Sequence, residues 1–181
     1  MKLFEVSDRY INYMKQFFYS SMLDNKEERR KHRRKYLGII ISINNINYFA
    51  PLSSPKLSDY DNYGKIRKSS AIVLRMIKNH SKNPQLLATI ILNNMIPVPD
   101  SEIILYNLND EKDIKYKNFV IDELDWIQQN TTKIIKTAKA LYYFKKNEEL
   151  NINENNKKYL NSIMPFKDAE IKFIEFQKNS N

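Results

Sequence analysis

The sequence predicts an α+β fold in which several helices pack against an antiparallel sheet. Two observations predict it. Residues 36–52 read as a β-hairpin, with further strand-like runs up to residue 105. Beyond residue 116, apolar residues recur at three- and four-residue spacings instead of alternating. Strands first and helices after is the order of an α+β domain. The 181 residues suffice for one domain with its own core, and no linker-like stretch divides them, so residues 1–181 are read as a single domain.

The elements follow in order. Lys2–Val6 is a short strand candidate. Ser7 can cap a helix whose first turn carries Asp8, and Tyr10, Ile11, Tyr13, Met14, Phe17 and Phe18 give that helix a broad apolar face. Residues 26–35 are a charge run, seven of the ten basic and two acidic. Tyr36–Ile43 and Asn47–Leu52 are strands joined by Asn44-Asn45. The two prolines of Pro51-Leu52-Ser53-Ser54-Pro55-Lys56 are expected to stop the ladder, leaving the hexapeptide as a stiff, exposed loop. Residues 57–69 read as loop. Ala71–Met76, Leu87–Leu92 and Glu102–Leu105 are further strand candidates. From Tyr116 to Tyr142 the spacing predicts one long helix or two consecutive ones, with a break near Asn130. Residues 147–156 read as a polar, Asn-rich loop and Asn155–Ile163 as another helix, while Asp168–Gln177 fits either period.

Composition removes whole classes of chemistry. There is no cysteine, so disulfides, thiolate metal sites and thiol nucleophiles are excluded. Two isolated glycines, Gly38 and Gly64, cannot build a glycine-rich phosphate loop. The only histidines are His32 and His80. Apolar runs such as Leu37–Ile41 are far shorter than a membrane span, and the first residues lack a secretory h-region, so a cytoplasmic protein is expected.

Net charge is +9. The dense cluster Arg29, Arg30, Lys31, Arg33, Arg34 and Lys35 repels itself unless anions screen it, and a phosphate backbone is a natural partner. A solvated surface run is the alternative, and AT-rich coding could supply part of the lysine excess. A second basic run, Lys65, Arg67, Lys68, Arg75, Lys78 and Lys82, follows the proline-flanked loop. Two basic runs on either side of one loop point to nucleic acid. On that loop, Ser53, Ser54 and Lys56 offer two hydroxyls and an ammonium, a set that can bind a phosphate and stabilise a pentavalent transition state. The same residues also make an ordinary turn. His32 could act as a base on a ribose 2′-hydroxyl or be an exposed charge-loop residue. Tyr48 could stack on a base or pack. Asp122, Glu123 and Asp125 crowd one helix without a histidine, which disfavours a two-metal nuclease.

Tyr48-Phe49-Ala50-Pro51-Leu52-Ser53-Ser54-Pro55-Lys56 and Leu92-Asn93-Asn94-Met95-Ile96-Pro97-Val98-Pro99 together resemble the ToxN/AbiQ endoribonuclease toxins of type III toxin–antitoxin and abortive-infection systems. Phe4, Ser7, Tyr10, Ile11 and Tyr13, and the strand start Tyr36-Leu37-Gly38, share the likeness. The resemblance implies a twisted antiparallel sheet of the Kid/MazF toxin type. It implies RNA cleavage without a metal or other cofactor, by 2′-hydroxyl attack, leaving a 2′,3′-cyclic phosphate. It also implies a small repeated antitoxin RNA pseudoknot that the toxin cuts from its precursor and that then inhibits it in a closed protein–RNA ring, with cellular and phage RNA as substrates. By position, Ser53 matches a phosphate-contacting Thr/Ser, Ser54 the essential serine, and Lys56 the lysine acting on the transition state or the leaving oxygen. Arg34 stands where the family has a functional lysine. The RNA-binding set is then Tyr48, Arg30, His32, Arg33, Arg34, Lys65 and Lys68. A non-catalytic RNA- or DNA-binding regulator using the same basic surface is the alternative, and a protein-interaction domain is a third reading.

Overall fold

The computed structural model describes residues 1–24, 34–78 and 83–179. Strand β1 (Lys2–Val6) leads into α1 (Asp8–Phe18). Ser7 caps that helix as expected, its hydroxyl oxygen accepting the Tyr10 N–H at 3.1 Å. Tyr10, Ile11, Met14 and Phe18 are the buried stripe of α1.

Strands β2 (Tyr36–Ile43) and β3 (Ile46–Ser53) form the central hairpin. Asn44 and Asn45 both take positive φ, 51° and 62°, the left-handed pair that a tight two-residue hairpin turn requires. Asparagine tolerates this region better than most side chains. The remaining strands are β4 (Val73–Lys78), β5 (Gln85–Ile91), β6 (Ile96–Pro97) and β7 (Ile103–Leu105). The seven form one sheet in the order β4-β5-β3-β2-β1-β7, with β6 also paired to β3, and every pairing is antiparallel.

Helix α2 (Ile114–Lys146) packs on β2, β4 and β5. Asp113 caps it, accepting the N–H groups of Lys115 and Tyr116 at 3.1 and 3.2 Å. The short helices α3 (Glu148–Asn151) and α4 (Lys157–Asn161) connect it to α5 (Phe166–Asn179), which lies against α2 and β6. The Tyr48 ring, fully buried, meets Tyr142 of α2 and Phe166 of α5 edge-on at 5.5 and 5.8 Å between centroids.

Two open local readings are settled and one is corrected. α2 does not break at Asn130. The Asn130 side chain donates back to the Trp126 carbonyl at 2.8 Å and the Thr131 hydroxyl to the Ile127 carbonyl at 2.9 Å, so these polar residues bond within the turn they occupy. The ambiguous segment near residue 170 is helical, with Phe166, Ala169, Phe173 and Phe176 making one buried stripe. Pro51 does not end the ladder. The Leu52 N–H points to the β2 side, donating to the Lys35 carbonyl at 2.8 Å, so the position of the missing Pro51 N–H faces the opposite edge. There β3 changes partner, from β6 at Tyr48–Phe49 to β5 at Leu52–Ser53, so no ladder bond is lost.

Where β2 begins, the buried Lys35 ammonium lies 4.0 Å from the centroid of the Tyr106 ring and 3.8 Å from Glu5. Burial lowers its pKa. Glu123 of α2 is also buried, and burial pushes its carboxyl up from 4.5 to about 7, with the Lys35 charge opposing. The folded protein therefore holds the Glu123 proton more tightly than the unfolded chain does. That contribution to stability is complete below about pH 4.5 and is lost as pH rises through 7. Its ceiling is about 3 kcal/mol, from 1.36 kcal/mol per pKa unit. Glu123→Gln is expected to remove this loss and to melt above the wild type at pH 8. Thermal melts of both proteins from pH 5 to 8 check it, and parallel pH profiles would refute it.

Candidate active site at the end of β3

The site is built from the exit of β3. Ser53 is its last residue and pairs with Thr89 of β5, whose hydroxyl donates to the Ser53 carbonyl at 3.4 Å. Ser53 is 5% exposed, and its own hydroxyl donates to the Ser54 carbonyl at 3.3 Å. From Ser54 the chain turns out to solvent, so that Ser54, Pro55 and Lys56 are exposed and Leu57 is 94% exposed. Among the described residues, no hydrogen bond or ion pair engages the Ser54 hydroxyl or the Lys56 ammonium. Ser54 and Lys56 therefore stand open on a short turn at the end of an interior strand, while Ser53 is tucked beneath. The expected exposed hexapeptide is thus only half exposed, because Pro51, Leu52 and Ser53 are held in the sheet.

The turn is fixed from behind. After Lys56 the chain makes a 3-10 turn, Leu57–Asp59, in which the Asp59 N–H donates to the Lys56 carbonyl at 2.9 Å. One Asp59 carboxylate oxygen accepts the Lys56 N–H at 3.0 Å. The other pairs with the Arg75 guanidinium of β4, at 3.0 Å to Nη2 and 3.1 Å to Nε. A second small turn follows, where Asp61 accepts the N–H groups of Tyr63 and Lys65, both at 2.9 Å. The Lys65 backbone bond to Asp61 is the main cause that lowers the Asp61 carboxyl pKa. Gly64 serves this turn with φ at 74°. Lys65, Arg67 and Lys68 are exposed on the same loop.

The predicted RNA-binding residues divide into three groups. Lys65 and Lys68 lie on the surface, on the loop that carries Lys56. Tyr48 and Arg34 are corrected. Tyr48 is 0% exposed and its hydroxyl donates to Glu170 at 2.7 Å, so its ring has no face open to a base. Burial, then the Glu170 hydrogen bond, push its phenol pKa far up. Arg34 is 1% exposed, because it serves as an internal strap. Its guanidinium donates to the Asp24 carbonyl at 2.9 Å and to the Leu52 carbonyl at 2.8 Å. Arg30, His32 and Arg33, with His80, lie outside the described residues. Arg34, a described member of that first basic run, ties the Asp24 carbonyl to the Leu52 carbonyl, one residue before Ser53.

Of the second basic run, Lys78 is already paired with Asp122 at 2.5 Å and Arg75 with Asp59, so neither is spare charge for a ligand. Sequence reasoning missed Asp59 altogether. A lone aspartate inside a loop gives no signal until β4 folds back and brings Arg75 against it. Among the described residues, no three His, Asp or Glu side chains converge as a metal-ion site, and no helix is long and apolar enough to cross a membrane.

A family model described as toxin ToxN of type III toxin–antitoxin systems matches residues 2–172. The chain belongs to the ToxN family. A relative of this ToxN-family chain, the endoribonuclease AbiQ of Lactococcus lactis subsp. lactis, is 31% identical over 181 residues, covering 99% of this chain and 91% of the relative. One solved structure, from a bacterial antiviral system regulated by a processed non-coding RNA, superposes with a TM-score of 0.79 at 24% identity, covering 97% of this chain and 98% of that one. Another, from work on selective inhibition of a type III toxin by a non-coding RNA pseudoknot, gives 0.76 at 22% identity with 97% of each chain covered. At these identities the two structures establish that the ToxN-family fold is shared.

Proposed function

We propose that this ToxN-family chain is a metal-independent endoribonuclease toxin whose reacting phosphodiester sits over Ser54 and Lys56. The observation that carries the reading is the pair of unengaged polar groups on a fixed turn, with exposed Lys65, Arg67 and Lys68 beside it. The named activity of the AbiQ relative supports the substrate class.

The chemistry needs little more than positioning and charge. A ribose 2′-oxygen attacks the adjacent phosphorus, the bond from phosphorus to the 5′-oxygen breaks, and the products are a 2′,3′-cyclic phosphate and a 5′-hydroxyl. The 2′-hydroxyl proton leaves to a base, and a proton is delivered to the departing 5′-oxygen. The Lys56 ammonium can stabilise the non-bridging oxygens or supply that second proton. The Ser54 hydroxyl can donate a hydrogen bond to the phosphate. Ser53, buried beneath, shapes the turn that presents them. The basic loop supplies sequence-independent grip on the strand.

The biological setting follows from the same reading. The toxin is held inactive by a small repeat RNA pseudoknot that it processes, in a closed protein–RNA ring, and its release cuts cellular and phage RNA as abortive infection. The test is purified protein incubated with RNA in excess EDTA. Scission leaving cyclic-phosphate ends is expected. Salt-sensitive retention of intact RNA would instead make the protein a binding regulator, and absence of both would overturn any RNA role.

A further inference from the structure

We propose that Asp59 is a positioning residue for Lys56, and that Arg75 makes this possible by neutralising and anchoring it. The inference rests on the assignment of Lys56 above and adds the machinery that aims it.

The geometry of the turn carries the argument. Asp59 grips the Lys56 backbone at both ends of the residue, accepting its N–H at 3.0 Å and donating to its carbonyl at 2.9 Å. Two such bonds leave the side chain free while fixing where it starts, which is what a long, four-carbon lysine needs to reach one point in space. Asp59 is itself tied to the sheet through its side chain. Its carboxylate is buried against Arg75, whose strand position pairs with Thr89, which in turn pairs with Ser53. Antiparallel partners project to the same face, so Arg75, Thr89 and Ser53 form one row across β4, β5 and β3. The rest of the Arg75 guanidinium donates to the Lys68 carbonyl at 2.7 Å. One guanidinium thus references the Lys56 turn and the Lys68 end of the basic loop to the strand that ends in Ser53.

Charge makes the same point. A carboxylate three residues from Lys56 would repel an incoming phosphodiester and compete for the ammonium. Ion pairing with Arg75 spends its negative charge inside the fold, and the Lys56 side chain keeps no partner among the described residues. Removing Arg75 would leave the carboxylate buried and uncompensated, a change far costlier than losing an exposed ion pair.

The test is a double-mutant cycle in single-turnover cleavage with excess protein, joined to RNA affinity and thermal melts. Asp59→Ala is expected to slow cleavage at least 10-fold while RNA Kd changes less than 3-fold. Asp59→Asn keeps one acceptor oxygen, for the Lys56 N–H or for Arg75 but not both, and is expected to recover only part of the rate. In a Lys56→Ala background, adding Asp59→Ala should slow cleavage no further, because the group it positions is gone. Amide hydrogen exchange supplies a second measurement that needs no residual activity. Asp59→Ala should speed exchange at Lys56 while the Leu52 amide keeps its protection. Equal slowing in both backgrounds, a parallel loss of RNA affinity, or an unchanged Lys56 amide overturns the proposal. Wild-type cleavage by Lys56→Ala overturns the underlying assignment of Lys56, a result distinct from any Asp59 outcome.

Discussion

Lys56→Ala is expected to cut RNA at least 100-fold more slowly than the wild type while folding and binding RNA nearly as well. The side chain is exposed and makes no contact among the described residues that the fold would miss, so the melting temperature should move by no more than a degree or two. RNA affinity should also be little changed. One cation among several facing the backbone contributes about one unit to the salt dependence of binding. The rate is different. A preorganised donor at a developing negative charge contributes about 10²–10³-fold, and a proton donor to a leaving oxygen about 10²–10⁴-fold. The same variant should be harmless to growing cells. Measured cleavage rates, filter-binding affinities and growth curves on one pair of proteins decide it. Full growth arrest with normal transcript decay would remove Lys56 from the mechanism.

Gly38→Ala is expected to cost about 3 kcal/mol or more, the upper end for overpacking a filled core. An added Cβ would sit 2.1 Å from Cδ1 and 2.3 Å from Cε1 of Phe49. The Phe49 ring has nowhere to withdraw. It is fully buried and already packed edge-on against Phe4, with 5.3 Å between centroids. The consequence reaches the site, because Phe49 lies on β3 four residues before Ser53, and strands of this kind project residues two apart to one face. At about 2–4 °C per kcal/mol for a chain of this size, the melting temperature should fall by roughly 10 °C. Pairing the change with Phe49→Leu should restore part of it by making room. A melting temperature within about 2 °C of the wild type would show that the ring can move aside.

The pattern of successes and failures has a physical logic. Local rules found Ser7 as a helix cap and Asn44-Asn45 as a hairpin turn, because each acts within a few residues of itself. They failed at Asn130 and Pro51. In both places a neighbouring group supplies or excuses the hydrogen bond that the rule assumes is lost. The candidate site divides the same way. The exposure of Ser54 and Lys56 was legible because their surroundings are a proline-flanked turn. Arg34 and Tyr48 were misread because charge and aromaticity do not say which way a side chain faces.

The sequence by itself determined the α+β order of elements, the hairpin and the residue types on its exit turn. It also determined the basic runs around that turn and the absence of thiol chemistry. Only the tertiary structure decided that Ser53 lies beneath the turn while Ser54 and Lys56 stand open above it. It alone turned Arg34 into a strap on β3, buried Tyr48 against Glu170, and set Arg75 of β4 on Asp59. These pairs lie from 16 to 122 positions apart, and no periodicity or propensity spans such distances. Their contacts arise from sheet order and helix packing, which bring together groups whose chemistry has meaning only once they meet.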